Sequence, residues 1–131
     1  MMPEAKKTIL LVDDEPDLLD SLSIRLRASG YEVLIAEDGL EALKKARSLD
    51  PDLIILDLML PKMDGYKVAR LLKFDNRYSH IPILILSARG QDMDKDMGKS
   101  AGADDYLVKP FKSADLISRI ERLLTESKIN G

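Results

Sequence analysis

A chain of 131 residues and 14.7 kDa is long enough for one domain and too short for two. Hydrophobic residues make up 45%, enough for a core without covalent staples, and the lack of cysteine excludes a disulfide scaffold, a thiolate zinc site and a cysteine nucleophile. With 20 Lys and Arg against 23 Asp and Glu the net charge is −3, which argues against the basic face of a nucleic-acid-binding domain.

Residues 1–7 form a charged lead with no apolar signal core behind it. No run nears the ~20 apolar residues of a membrane span, so a cytoplasmic chain without membrane contact is expected. Ile9-Leu10-Leu11-Val12 reads as a strand buried on both faces, stopped by Asp13-Asp14-Glu15. Leu18, Leu22 and Leu26 at i, i+4 and i+8 predict a helix, with Gly30 at its C′ position. Glu32-Val33-Leu34-Ile35-Ala36 predicts an edge strand, and Leu40, Leu43, Ala46 and Leu49 a second helix ended by Pro51. Leu53-Ile54-Ile55-Leu56 repeats the buried pattern and stops at Asp57; Val68, Ala69, Leu71 and Leu72 mark a third helix. His80, the only histidine, reads as an exposed loop residue rather than a phosphocarrier. It precedes a fourth strand, Ile81-Pro82-Ile83-Leu84-Ile85-Leu86, ending at Ser87.

A fourth helix around Gln91 to Ala101 has only Met93 and Met97 as sizeable apolar residues, and Gly90, Gly98 and Gly102 dilute it. So thin a stripe predicts a loosely held, movable element. Asp105-Tyr106-Leu107-Val108 predicts the second edge strand, followed by Lys109-Pro110. Leu116, Ile117, Ile120, Leu123 and Leu124 give the last helix, with Ser113 as its expected N-cap. Residues 8–125 then form the domain and 126–131 a polar tail or linker stub.

Five strands alternating with five helices predict an α/β fold, a (βα)5 doubly wound parallel sheet covered on both faces. Ligands of such sheets bind beyond the carboxyl ends of the strands, where this chain places Asp13, Asp14, Asp57, Ser87 and Lys109. Asp13, Asp14 and Asp57 converge if strands one and three are neighbours, and three crowded carboxylates repel unless a cation compensates. Hard oxygen donors without His or Cys suit Mg²⁺. The plainer reading of Asp14 is a cap for the helix entered through Glu15-Pro16. Lys109 is either an exposed loop lysine or a buried cation paired with the acids and able to bind phosphate. A cis bond to Pro110 would aim it inward. Ser87 is either a plain strand terminus or a hydroxyl donor.

In order and spacing, four segments resemble the receiver domain of two-component response regulators. They are Val12-Asp13-Asp14-Glu15; Asp57-Leu58-Met59-Leu60-Pro61-Lys62-Met63-Asp64-Gly65; Leu86-Ser87-Ala88-Arg89; and Gly102 through Asp105-Tyr106 to Lys109-Pro110-Phe111. The likeness runs from about Thr8 to Leu124, and its last segment is closest to receivers of the OmpR/PhoB type. It implies the flavodoxin-like, CheY-like strand order 2-1-3-4-5.

The resemblance also implies roles. Asp57 would be the phosphoacceptor, and Asp13, Asp14, Asp57 and the Met59 carbonyl would hold Mg²⁺. Lys109, Ser87 and Ala88 would contact the phosphoryl group, Ser87 and Tyr106 would switch, and Met59 and Arg89 would help set the lifetime of the phosphorylated state. Ser87 stands where many members carry Thr; it keeps the hydroxyl and loses the methyl that restrains its rotamer. A sensor histidine kinase, a phosphotransfer protein or acetyl phosphate would supply the phosphoryl group. The last two helices and strand five would form an output face, with Lys95, Asp105, Asp115 and Arg119 at a homodimer contact; Lys99 and Glu121 fit that pattern less well. Such a chain is not an enzyme beyond self-phosphotransfer and autodephosphorylation, and does not itself bind nucleic acid. A haloacid-dehalogenase-type Mg²⁺-dependent phosphohydrolase is the alternative from another class. It needs a D-x-D pattern after the first strand that Asp13-Asp14-Glu15 lacks. A flavodoxin-like cofactor binder would need a Gly- or Thr-rich phosphate loop.

Overall fold

The chain runs β1 (Thr8–Val12), α1 (Pro16–Ala28), β2 (Glu32–Ala36), α2 (Gly39–Leu49), β3 (Leu53–Asp57), α3 (Gly65–Lys73), β4 (Ile83–Ala88), β5 (Asp105–Lys109) and a C-terminal helix (Ser113–Asn130) in a computed structural model describing residues 6–88 and 101–130. Nearly unbroken aliphatic sequence in β1, β3 and β4 is stable only where both faces of a sheet are covered. The strands meet that need by forming one parallel sheet in the order β2-β1-β3-β4-β5, the doubly wound, flavodoxin-like order.

Successive side chains of the central strands enter opposite layers. Ile9, Leu11, Leu53, Ile55, Leu84 and Leu86 pack with Leu22 and Leu26 of α1 and Leu116 and Ile120 of the C-terminal helix. Leu10, Val12, Ile54, Leu56, Ile83 and Ile85 pack with Ala42 and Ala46 of α2 and Val68 and Leu72 of α3. All these strand residues are inaccessible to solvent, and burying each contributes roughly 1.5–3 kcal/mol. No described helix is long and apolar enough to cross a membrane.

The helices keep the expected positions but differ in detail. Pro16 stands at N1 of α1 behind Glu15, so Asp14 is not the cap. The buried stripe of α1 is Leu19, Leu22, Ser23 and Leu26, with Leu18 only partly buried. On α2 the buried residues are Gly39, Ala42, Leu43 and Ala46, while Leu40 and Leu49, expected on the stripe, are each 50% exposed. On α3, Val68, Ala69 and Leu72 are buried and Leu71 is turned outward. Small residues face the sheet because the helix backbone sits close to it, which moves larger neighbours to the flanks. The carbonyl of Lys112 accepts the first bond of the C-terminal helix, from Leu116 N–H (3.1 Å), so Ser113 is inside the first turn and not the N-cap. That helix continues to Asn130 and includes residues 126–130, expected as a tail.

β4 starts at Ile83, since Pro82 has no N–H and serves the sheet only as acceptor from Ile54 N–H (3.0 Å). It runs through Ser87 to Ala88, so Ser87 lies inside the strand rather than after it. The helix expected from Gln91, with Met93, Lys95 and Met97, lies outside the described residues, as does Arg89.

Candidate functional site

β1 and β3 are adjacent, with Val12 paired to Leu56, so the residues following them emerge side by side at the carboxyl edge. Asp13 is fully buried there and Asp57 is 6% exposed, while Asp14 is exposed beside them. One carboxylate oxygen from each of the three lies within 4.8 Å of the others. Backbone amides hold two of the carboxylates: Glu15 N–H donates to Asp13 Oδ1 (3.0 Å) and Met59 N–H to Asp57 Oδ1 (3.3 Å).

Lys109 ends β5, two strands away from Asp57, and its peptide bond to Pro110 is cis. Its ammonium reaches across the sheet edge, donating to Asp13 Oδ2 (3.1 Å) and Asp57 Oδ2 (3.5 Å). Of the two sequence readings this is the paired lysine, partly buried with its side chain 22% exposed. Burial, and then the neighbouring charge of Asp13, push the Asp57 carboxyl above the usual carboxylate range, against the pull of Lys109 and the Met59 amide. Burial alone would lower the Lys109 ammonium, but the charges of Asp57 and Asp13 outweigh it and hold the group above its ordinary value. Lys109 therefore stays cationic. Three carboxylates against one ammonium leave a double negative charge, and the donors are all hard oxygens. That set fits a divalent cation such as Mg²⁺.

Ser87 is 1% exposed, and its hydroxyl makes no hydrogen bond among the described residues. A buried hydroxyl in that state costs about 1–3 kcal/mol, so it is ready for an acceptor. Ser87 follows Ile85 by two positions on β4 and shares its face. Ile85 pairs with Tyr106, which packs against the same layer. The two predicted switch residues thus stand on one face of neighbouring strands. Ala88 pairs in register with Lys109.

Asp105, Asp115 and Arg119 also come together, within one chain. Arg119 donates to Asp105 Oδ1 (2.9 Å), Asp115 Oδ1 (3.1 Å) and the Tyr106 carbonyl (2.9 Å), and Arg122, which the sequence pattern did not single out, pairs with Asp105 Oδ2. His80 lies in a loop near Asp50, Nε2 to Oδ1 3.3 Å, far in the fold from this edge.

Two glycines shape the site through close backbone packing. A Cβ on Gly65 would lie 2.4 Å from the Asp57 carbonyl oxygen and 2.9 Å from Leu58 Cα, so α3 can start this close to β3 only with glycine. A Cβ on Gly39 would lie 1.8 Å from the Met63 carbonyl oxygen. Nothing local in the sequence marks Gly39, because what it meets is 24 positions away in the chain. Beside the acids, Asp14, Leu58, Met59, Leu60, Pro61 and Asp64 line an open cavity of about 400 Å³.

Comparison with known proteins adds a family. The response regulator receiver domain profile matches residues 9–121. The chain is 48% identical over 116 residues to the DNA-binding dual master transcriptional regulator RpaA of Synechocystis, covering 88% of this chain and 48% of that protein. It is 46% identical over 123 residues to the alkaline phosphatase synthesis transcriptional regulatory protein PhoP of Bacillus subtilis, covering 94% and 50%. The chain thus spans about half the length of the curated relatives it matches. Among solved structures it is similar to a CheY-like receiver domain protein from Methanospirillum hungatei, with TM-score 0.90 and 30% identity over 97% of this chain and all (100%) of that one. The receiver domain of a sensor histidine kinase from Pseudomonas aeruginosa, solved with a magnesium ion coordinated in its active site cleft, gives TM-score 0.85 and 35% identity over 92% and 99%.

Proposed function

The chain belongs to the response regulator receiver domain family, and from that premise we propose that Asp57 is its phosphoacceptor. As a receiver of two-component signalling the domain is a phosphorylation-dependent switch. The observation that carries the residue assignment is Lys109 Nζ standing between Asp13 Oδ2 and Asp57 Oδ2 at the carboxyl edge of the sheet.

The chemistry follows from that arrangement. An Asp57 carboxylate oxygen attacks the phosphorus of a phosphohistidine on a sensor histidine kinase or phosphotransfer protein, or of acetyl phosphate. The bond to the histidine nitrogen or acetate oxygen breaks as the Asp57–phosphorus bond forms, leaving an acyl phosphate. A carboxylate attacks without a general base. The Lys109 ammonium offsets charge on the transferring oxygens, where positioning and electrostatics dominate. Asp13, Asp14, Asp57 and the Met59 carbonyl would hold Mg²⁺, which when bound supplies charge neutralisation on the phosphoryl group. The magnesium-bound Pseudomonas receiver supports that choice of ion.

Ser87 and the Ala88 backbone then meet the phosphoryl oxygens, and Tyr106 on the same face responds to the movement of Ser87. Met59, 67% exposed over the site, and Arg89, outside the described residues, set the lifetime before hydrolysis. The output passes through the face carrying Asp105, Asp115 and Arg119, with Lys95, to a second copy or to a DNA-binding segment of the kind its relatives' names carry. The protein works in the cytoplasm and turns over no substrate other than its own phosphorylation.

Incubation with Mg²⁺ and acetyl phosphate, read by intact mass, tests this. Wild type is expected to gain one phosphoryl group and Asp57→Asn none. No gain by wild type, or turnover of unrelated phosphomonoesters, overturns it; the latter outcome is that of the haloacid-dehalogenase alternative, which no comparison supports.

A further inference from the structure

The segment between β3 and α3 carries Met59 over the site and is held at three points. Its start is fixed by Leu58 N–H donating to the Leu86 carbonyl (3.3 Å). Its end is fixed by Gly65 N–H on the Leu58 carbonyl (3.0 Å) and the close packing of Gly65 on Asp57. The middle is held from outside, by the first residues of α2.

Lys62 has φ +67°, and Met63 N–H donates to the Pro61 carbonyl at 2.7 Å, which makes a γ-turn in a conformation that side-chain-bearing residues rarely adopt. A strained turn persists only where its surroundings over-determine it. Those surroundings belong to α2. Gly39 N–H donates to the same Pro61 carbonyl (3.2 Å), the Met63 carbonyl lies where a Cβ of Gly39 would be, and Lys62 Nζ lies 3.3 Å from Asp38 Oδ2. Asp38 is itself fixed as the N-cap of α2, accepting from Glu41 N–H (2.8 Å). Met63 and Leu60 pack onto the core beside these contacts.

We propose that Asp38 and Gly39 are positioning residues for the metal site, latching the Lys62 γ-turn so that the Met59 carbonyl is held toward the acids. The inference rests on the reading of the site as a Mg²⁺-dependent phosphoacceptor. Residues that orient a metal's ligands without touching the ion typically tune affinity by about 10–100-fold.

The test is titration of the metal-free protein with Mg²⁺, followed by backbone amide NMR, together with amide hydrogen exchange before the metal is added. Gly39→Ala is expected to raise the half-saturating Mg²⁺ concentration by about tenfold. It should also speed exchange at Met63, and slow phosphorylation by acetyl phosphate at low Mg²⁺ while leaving it near wild type at saturating Mg²⁺. Asp38→Asn keeps an acceptor for the Glu41 amide and loses only the charge facing Lys62, with an expected weakening of about threefold. Gly30→Ala is the stability control: φ is +97° there with nothing within 4 Å, so it strains a distant turn and leaves Mg²⁺ binding unchanged. Gly39→Ala binding Mg²⁺ like Gly30→Ala overturns the proposal; if Gly39→Ala does not fold, an unchanged Asp38→Asn titration does so. Wild type showing no Mg²⁺ response overturns the underlying reading as well.

Discussion

Asp57 combines two demands that pull its acidity in opposite directions: it is buried beside a second carboxylate, yet it faces an ammonium. Its carboxyl is raised, so the native state of the metal-free protein holds a proton more tightly than the unfolded chain. Its contribution to stability is therefore full below the unfolded value near ~3.9 and falls as pH rises through the raised native value. Asp13→Asn removes the negative neighbour and is expected to move the Asp57 titration downward, as followed by side-chain carboxyl ¹³C NMR; an unchanged titration would mean Asp13 has no part in the shift. Ser87 makes the converse case. Its hydroxyl is buried without a hydrogen-bond partner among the described residues, so Ser87→Ala should leave stability unchanged or raise it by about 1 kcal/mol in urea denaturation. The same variant should lose the chemical-shift response of Tyr106 to a phosphoryl mimic. A large loss of stability would show that Ser87 already has a structural partner. The identities of Asp13, Asp57, Ser87 and Lys109 were readable as a row of polar groups ending aliphatic strands. The pairing of Ser87 and Tyr106 on one face was not, because strand register belongs to neither segment alone.

Elements tell a different story, since their kind is local and their orientation is not. Continuous apolar runs and the 3.6-residue period placed every described strand and helix, while Leu40, Leu49 and Leu71, counted among the apolar positions of their helices, stand exposed. Ala42 and Ala46 take their place against the sheet, a choice set by how closely helix and sheet approach. A further tie that no motif announces links the ends of these elements. Lys73, the last residue of α3, donates to the carbonyls of Ser79 (2.9 Å) and Ile81 (3.0 Å) and to Asp104 Oδ2 (2.8 Å), which also accepts from Ile83 N–H (2.8 Å). The group joins α3, the start of β4 and the approach to β5 at the edge opposite the acids. Lys73→Met is expected to lower the unfolding free energy by about 2 kcal/mol in urea, leaving acetyl phosphate labelling at Asp57 intact. A loss below 0.5 kcal/mol would mark the three bonds as incidental.

Over the whole molecule the site is a product of topology. Lys109 and Asp13 are 96 residues apart and Lys109 and Asp57 are 52 apart, and they meet only because β1 and β3 are neighbours and β5 lies at the edge beyond β4. The three acids carry a charge excess that folding concentrates, so a divalent cation that binds only the native state should stabilise it. At 100 times its dissociation constant, Mg²⁺ is expected to add about 2.7 kcal/mol, seen as a rise in Tm that EDTA reverses and Asp13→Asn abolishes. A Tm insensitive to Mg²⁺ in wild type would remove the ion from the site. The amino-acid sequence by itself determined the alternation of strands and helices, the parallel buried sheet and the residue types at its carboxyl edge, because these depend on local periodicity and solvation. Tertiary structure alone decided which acid is buried and which is exposed, that Lys109 faces the acids, that Ser87 and Tyr106 share a layer, and that Gly39 must be glycine. Each of those is a distance between segments remote in the chain, and only the packed sheet and its helices set such distances.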